Sequence, residues 1–432
     1  MLFCLIGVGA ALTAHAQQDQ PITQPTVDAA VATLIAQTQQ APAHLGATQT
    51  IQAALNHALT ATRMALITPT PTPQTFDASH LSVQSVNEVD LTAGPAGTDA
   101  YFAPDGTKFA YLSQKTLCVY EGQTQGNCVD ISQAPGVDSE SVRWSPDSRY
   151  VVFAQDFFRY FRDSDIWVWD TTTNQLNDLT SSSTGPVNFL TSKDWTGVDV
   201  TPRWLPNGQI LFLRYSSQGG TILPPDIDTI APDGSDLQKL GNLAVSDHFA
   251  VYALDVSATQ VVYNYFALAD SPMNGLWISD LNGNNARQLL HTDHGVQIAG
   301  VQLSPDGKFV LINPLDQNAI GHVNPQDSLM SLVDVATGKS FLIDPDRYVT
   351  AAGWSPKGSA LIYVTHDAQQ PDNDSVFLTN TPGTAGQPLA GLQGRLNLPT
   401  SRLEQSLTWG ANNTILISHS PDQGIVLLHL GS

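Results

Sequence analysis

One phrase recurs along this chain about every fifty residues, and a repeat of that length constrains the fold more than any other feature. It is an aromatic or large apolar residue, then Ser-Pro-Asp-Gly or a near variant, then an apolar strand. Clear copies are Trp144-Ser145-Pro146-Asp147-Ser148, Leu303-Ser304-Pro305-Asp306-Gly307 and Trp354-Ser355-Pro356-Lys357-Gly358. Phe102-Ala103-Pro104-Asp105-Gly106 and Trp204-Leu205-Pro206-Asn207-Gly208 have the same form. Leu254 to Thr259 and Trp409 to Asn413 are worn copies, making seven in all, spaced 42 to 60 residues apart. The turn chemistry is explicit. Pro presets φ at the first corner, Asp bonds back to the backbone, and Gly takes the positive φ that closes the turn. The aromatic ahead of the turn is expected on an inner strand, packed between neighbouring sheets.

A second pair of strands follows each copy. Asp165–Asp170, Gly275–Asp280 and Ser328–Asp334 read as strands, ending in polar turns at Thr171–Asn174, Asn282–Asn285 and Ala336–Lys339. Four strands per unit, repeated radially, make the blade of a propeller. The expected fold is therefore an all-β, seven-bladed β-propeller over residues 76–432, with six or eight blades the alternatives. The stretch Ser82 to Thr92 offers a strand to close the ring against the last blade.

The Trp-Ser-Pro-Asp-Gly copies resemble the WD40-like (PD40) repeats of TolB-type propellers, over residues 80–432. The resemblance is specific to the repeat class and says little about activity. TolB-type proteins carry a compact α/β domain before six blades, whereas here seven copies follow a Gln/Thr/Pro-rich segment. The Gly-His element of WD40 repeats is absent, and Trp169-Asp170 is a lone dipeptide.

The N-terminal residues read differently. Leu2 to Leu12 is an apolar run ending in Ala14-His15-Ala16, so residues 1–16 are expected to be a signal peptide, too short to span a bilayer. No Lys or Arg precedes the run, which is what a start placed downstream of the natural one would give. Cys4 lacks a lipobox-like context, so lipidation is not expected. Residues 17–75 are rich in Gln, Ala, Thr and Pro and are expected to form a stalk. It is partly helical over Val27–Gln39 and Thr48–Ile67 and extended over Thr68–Pro73. A small helical partner-binding module is the rival reading. The chain should be exported, to the extracellular space, the cell surface or the periplasm, with no membrane span after signal removal.

Two cysteines remain past the signal. Cys118 and Cys128 sit on consecutive expected strands, within disulfide reach across an antiparallel pair. Two buried free thiols are the alternative. The charge balance is acidic, 18 Lys and Arg against 39 Asp and Glu, for a net −21. Such a field repels nucleic acid and anionic lipid, so neither is an expected partner.

Loop length is the functional clue. The Pro-Asp-Gly and Thr171-type turns are short and lie on one face. The connections expected on the other face are long: 154–164, 181–200, 214–225, 267–274, 313–326 and 365–373. Within the first lies Phe157-Phe158-Arg159-Tyr160-Phe161-Arg162, a set of aromatic and Arg residues of the kind that anchors interfaces. Trp195 in the next loop is a candidate for the same patch. The alternative is that this stretch packs over the end of its own blade or lengthens its strands. His291, His294, His322 and His366, with His248 and His419, fall in or near long loops beside Asp247, Asp293 and Asp367. Their spacing is not a metal signature, and solvated loop histidines are the simpler reading. Asp280-Leu281-Asn282-Gly283-Asn284 departs from a calcium loop, with Asn285 and His291 at the Gly and Glu positions. Asp226, Asp228, Asp233 and Asp236 read as blade-edge and turn residues. No nucleophile elbow or phosphate loop is present, and a hydrolase domain of the prolyl-peptidase kind is not expected to follow the propeller.

The resulting expectation is a monomeric, non-enzymatic propeller without cofactor or metal, binding a protein or glycan through its long-loop face. A carbohydrate-active, lyase-like propeller with a metal held by loop histidines is one alternative. A structural spacer is the other.

Overall fold

The structure is a computed structural model. It describes residues 81–431 apart from 90–96, 114, 123, 135, 158–162, 182–192, 246–250, 252, 268–270, 294–295, 317–329, 366–374, 381–382, 390–406 and 419–424. All of these belong to one compact unit, Thr75–Ser432. The expected signal peptide and the stalk up to residue 75 lie outside the described residues.

The regular elements described are all β-strands, arranged in seven antiparallel sheets. Blade 1 runs Gly97–Phe102, Lys108–Ser113, Thr116–Glu121, Thr124–Asp130 from its inner to its outer strand. Blade 2 is Arg143–Trp144, Tyr150–Ala154, Ile166–Asp170, Gln175–Asp178. Blade 3 is Trp195–Trp204, Ile210–Gln218, Asp226–Ile230, Gln238–Asn242. Blade 4 comprises Leu254–Val256, Gln260–Tyr265, Gly275–Asp280 and Arg287–His291. Blade 5 comprises Val296–Leu303, Phe309–Asp316, Ser331–Asp334 and Ser340–Leu342. Blade 6 comprises Val349–Trp354, Leu361–Thr365, Ser375–Thr379 and Gln387–Pro388. Blade 7 takes Leu407–Trp409, Thr414–Ser418 and Ile425–Gly431 from the end of the chain, and Ser82–Val89 pairs antiparallel with Ile425–Gly431 as its outer strand. The chain is a seven-bladed all-β propeller, and both worn copies of the phrase are blades.

The core follows from this radial order. It divides into seven apolar layers, each held between two successive blades. Between blades 1 and 2, Tyr101, Leu117 and Val119 meet Trp144, Phe153 and Trp169. Between blades 7 and 1, Ile425 and Leu427 meet Ala100, Phe102 and Phe109, completing the circle. Each large side chain so buried contributes about 1.5–3 kcal/mol.

The phrase also links the inner strands directly. Trp144 Nε1 donates to Tyr101 O at 2.9 Å, and Trp204 Nε1 to Arg143 O at 3.1 Å, each reaching back one blade. Blade 5 has Leu303 at this place, and there Asp255 Oδ2 of blade 4 accepts from the Leu303 backbone N–H at 2.7 Å.

The turns close as their composition requires. Gly106, Gly208, Gly307 and Gly358 all take positive φ, and Ser148 and Asn413 hold the same place in their copies. In each turn that residue's N–H bonds the carbonyl three residues back, as in Gly106 N to Ala103 O at 2.9 Å. The Asp side chain accepts from the residue beyond, as Asp306 Oδ1 does from Lys308 N at 3.1 Å.

Three expected loops are shorter than the sequence suggests. Residues 214–218 continue the strand Ile210–Gln218, which turns at Gly219-Gly220 and returns through Thr221–Ile222. The two glycines, at φ 63° and 85°, allow the tight hairpin that a loop reading overlooks. Strand Trp195–Trp204 likewise claims the end of 181–200, and Phe309–Asp316 the start of 313–326.

Because the sheets are antiparallel, the phrase turns and the third-to-fourth-strand turns leave one end of every blade. The second-to-third-strand and blade-to-blade connections leave the other, so the longer connections share one face.

Candidate functional site: the long-loop end of blades 2 and 3

Phe157 follows the second strand of blade 2 and is only 1 % exposed, buried in the apolar layer of blades 3 and 4 that includes Val198, Val200, Tyr215 and Tyr263. Trp195, half-buried at the start of blade 3, packs against the same cluster. The structure thus brings these two sequence candidates into one apolar layer. Phe157 is a core residue that fastens the start of the connection, with no exposed surface to offer a ligand. Phe158, Arg159, Tyr160, Phe161 and Arg162 lie outside the described residues.

The other end of that connection is acidic. Asp163 and Asp165 precede the strand Ile166–Asp170, and Asp178 ends the strand Gln175–Asp178. From blade 3 come Asp199 on the inner strand and Asp226 and Asp228 on the third. Backbone bonds join the two blades here, Asp199 N to Ser164 O at 2.8 Å and Ser164 Oγ to Asp199 O at 2.7 Å. Arg214 stands among the acids. It holds Asp199 with Nε–Oδ1 at 2.8 Å and Nη2–Oδ2 at 2.9 Å, and its Nη1 lies 3.1 Å from Asp228 Oδ2. Lys239 Nζ pairs with Asp226 at 2.8 Å from an exposed position.

Among the described residues, six carboxylates share two cations in a partly buried wedge. Their acidities follow. Burial, then Asp178, pushes the Asp165 carboxyl up to about 7. Burial likewise raises Asp163, Asp178, Asp199 and Asp228, although Arg214 draws the last two back down. The Oδ1 atoms of Asp163, Asp165 and Asp228 are shielded from solvent and have no hydrogen-bond partner.

A second charged group lines the inner strands of blades 2 to 4. Arg143 and Arg203 hold the place just ahead of the phrase aromatic, and Asp255 the same place in blade 4. Each guanidinium donates Nη1 to the preceding carbonyl, Val142 O at 2.7 Å and Pro202 O at 2.9 Å. Burial, then the neighbouring Arg143, brings Arg203 down to about 9. Burial, then Glu140, lifts Asp138 to about 7.

The remaining candidates lie elsewhere. His291 ends the outer strand of blade 4, exposed, with Nδ1 3.1 Å from Asn274 O. His248, His294, His322, His366 and His419 lie outside the described residues. Among the described residues no three His, Cys, Asp or Glu side chains form a group that could hold a metal. Cys118 and Cys128 stand opposite each other on the outer strands of blade 1 and are disulfide-bonded.

Sequence reasoning passed over the carboxylate wedge. Asp226 and Asp228 read as edge residues, and Asp163, Asp165, Asp178 and Asp199 carry no common spacing. The available signal was that all six fall at the long-loop ends of two consecutive blades.

Comparison with known proteins supports the fold. No family model matches the chain. It is 26% identical over 163 residues to an uncharacterized peptidase, YuxL, of Bacillus subtilis strain 168, covering 35% of this chain and 24% of that protein. The chain thus matches only about a quarter of the length of this curated relative. An oligogalacturonate lyase structure from Vibrio parahaemolyticus superposes with a TM-score of 0.50 at 12% identity, over 81% of this chain and 97% of that one. Kuenenia stuttgartiensis hydrazine synthase gives 0.50 at 13%, over 78% and 96%. At such identities the likeness is one of fold, and the class so defined is the β-propeller.

Proposed function

We propose that this protein is an exported, non-enzymatic propeller of the TolB-type, WD40-like repeat class that binds a macromolecular ligand through the long-loop face of blades 2 and 3. One observation carries the reading. In the sequence, Phe158-Arg159-Tyr160-Phe161-Arg162 lies between Phe157, which is buried, and Asp163, which belongs to the carboxylate wedge. A rigid ring that fixes both ends of an aromatic- and Arg-rich connection is a suitable mount for interface anchors. The phrase turns of the opposite face are committed to blade closure and leave the long-loop face for recognition.

The test is an array of peptides and glycans probed with the full chain, repeated with Phe158→Ala and Tyr160→Ala. Loss of a bound ligand in both variants, at unchanged thermal midpoint, supports the reading. Unchanged binding in both overturns it. Stoichiometric metal lost on His294→Ala or His322→Ala would favour a metal-dependent enzyme instead.

A further inference from the structure

The chain contains three Asn-Gly dipeptides, Asn207-Gly208, Asn274-Gly275 and Asn282-Gly283. Such a pair can react with itself. Glycine has no Cβ to shield its backbone nitrogen, so that nitrogen can reach the preceding asparagine side-chain carbonyl and close a five-membered ring. The fold puts the three pairs in very different surroundings.

Asn207 is exposed in the phrase turn of blade 3. Its Oδ1 accepts from Gln209 N at 3.1 Å. That donor polarises the carbonyl under attack and faces the oxyanion that forms on it. Gly208 stands in open space, with nothing within 4 Å of an added Cβ. Ring closure removes the hydrogen from Gly208 N, and so sacrifices the turn bond to Leu205 O at 2.9 Å. Asn282 has the same turn chemistry, its Oδ1 accepting from Asn284 N at 3.1 Å, but its turn is pressed on blade 3. A Cβ on Gly283 would lie 1.9 Å from Asn242 O, and one on Gly241 2.0 Å from Asn282 O, so the two backbones hold each other in place. Asn274 is 1 % exposed, with Oδ1 engaged by Ala267 N at 2.8 Å and its carbonyl by Thr292 N at 3.1 Å and Gln288 Nε2 at 2.9 Å.

We propose that Asn207 is a self-modification site, at which the folded chain converts its own asparagine to aspartyl and isoaspartyl forms. Hydroxide takes the Gly208 N–H proton, and the nitrogen attacks Asn207 Cγ. The Cγ–Nδ2 bond breaks, Nδ2 leaves as ammonia after taking a proton from water, and a cyclic imide remains. Water then opens the ring. Addition at Cγ gives an aspartyl residue, and addition at the main-chain carbonyl carbon gives an isoaspartyl link with one more carbon in the backbone. The aspartyl product suits the turn. Asp105, Asp147 and Asp306 hold this place in other copies, and Asp306 Oδ1 accepts from Lys308 N as Asn207 Oδ1 does from Gln209 N. Either product adds a negative charge to the face opposite the long loops.

Peptide mapping by mass spectrometry tests this, after timed incubation of the folded full chain at about pH 6 and about pH 9. Conversion at Asn207 should run roughly tenfold ahead of Asn282 and be undetectable at Asn274. It should be faster at the higher pH, where more of the attacking nitrogen is deprotonated. In urea the three sites should convert at similar rates. Conversion of Asn282 or Asn274 as fast as Asn207 in the folded chain would overturn the proposal. So would an Asn207 that converts only after unfolding, because the turn would then protect it. A rate order that persists in urea would trace the preference to flanking sequence and overturn the role of the fold. Asn207→Asp should keep the wild-type thermal midpoint, and a marked fall would overturn the claim that the turn accepts its product.

Discussion

Arg214 clamps Asp199 across the first two strands of blade 3, through paired bonds of 2.8 and 2.9 Å to a carboxylate with no solvent exposure. The guanidinium also pairs with buried Asp228, at 3.1 Å. Removing it strands two carboxylates in a low-dielectric site. Arg214→Ala should cost about 3–5 kcal/mol, read as a fall in the urea midpoint, because breaking a buried pair leaves an uncompensated charge. Arg214→Lys should recover part of the loss, since an ammonium cannot serve both oxygens of Asp199 in plane. An unchanged midpoint in Arg214→Ala would show that the carboxylates are neutral in the folded protein.

The raised carboxyls set a pH dependence with a definite sign. Asp138 and Asp165 titrate near 7 when folded, against about 3.9 for an unfolded aspartate. Between about pH 4 and 7 the folded state keeps protons that the unfolded chain has released, so raising the pH through that window lowers stability. Asp170, brought down to about 2 against its own burial by Arg149 and the Thr172 and Thr173 backbone, acts oppositely and only below about pH 4. The thermal midpoint should be higher by a few °C at about pH 5 than at about pH 8, and Asp165→Asn should flatten the slope. A midpoint rising from pH 5 to pH 8 would contradict this assignment.

Two glycines of the repeated turn allow a controlled comparison. Gly106 and Gly208 have similar backbones, φ 76° and 83°, so alanine strains both. A Cβ on Gly208 meets nothing within 4 Å, whereas one on Gly106 lies 1.9 Å from Asn412 Oδ1 across the seam between blades 1 and 7. Gly208→Ala should cost about 1 kcal/mol and Gly106→Ala distinctly more. Equal losses of thermal midpoint would mean that Asn412 yields freely.

The closing strand makes a third kind of prediction. Ser82–Val89 covers the outer edge of Ile425–Gly431, and Val83 and Val86 pack on the layer between blades 6 and 7. A chain starting at residue 90 would expose a long unpaired edge, and such edges recruit other strands. Size-exclusion chromatography should show self-association and a lower thermal midpoint. A monomer of unchanged midpoint would make the strand dispensable.

Blade number was legible because each blade repeats one turn, and turn chemistry is local. Even the worn copies kept their geometry, with Asn413 at φ 60° in place of Gly and Ser257 Oγ accepting from Gln260 N at 3.0 Å. Strand length was less legible. The polar run Arg214 to Gln218 looks like a loop, yet Arg214 to Ser217 pair with the start of Trp195–Trp204 on one side, while Arg214 pairs with Asp226 and Ser217 and Gln218 with Thr221–Ile222 on the other. The carboxylate wedge was not legible at all. Its members span residues 163 to 228, and only the stagger of one blade on the next brings Asp165 near Asp199. Phe157 was misleading for a related reason, since the layer that buries it belongs to blades 3 and 4.

The seam between the first and last blades has a temporal consequence. Asn412 Nδ2 bonds Gly106 O at 2.9 Å across a separation of 306 residues, and Ser82 pairs with Gly431. Neither contact can exist until Asn412 and Gly431 have left the ribosome. Until then blade 1 presents one oily flank, and whichever blade was made last presents another. The loop that must close before these flanks meet is nearly the length of the domain, so its entropic cost falls on a single late event. Maturation of this ring is therefore a race between that closure and capture of the open ends by other unfinished chains.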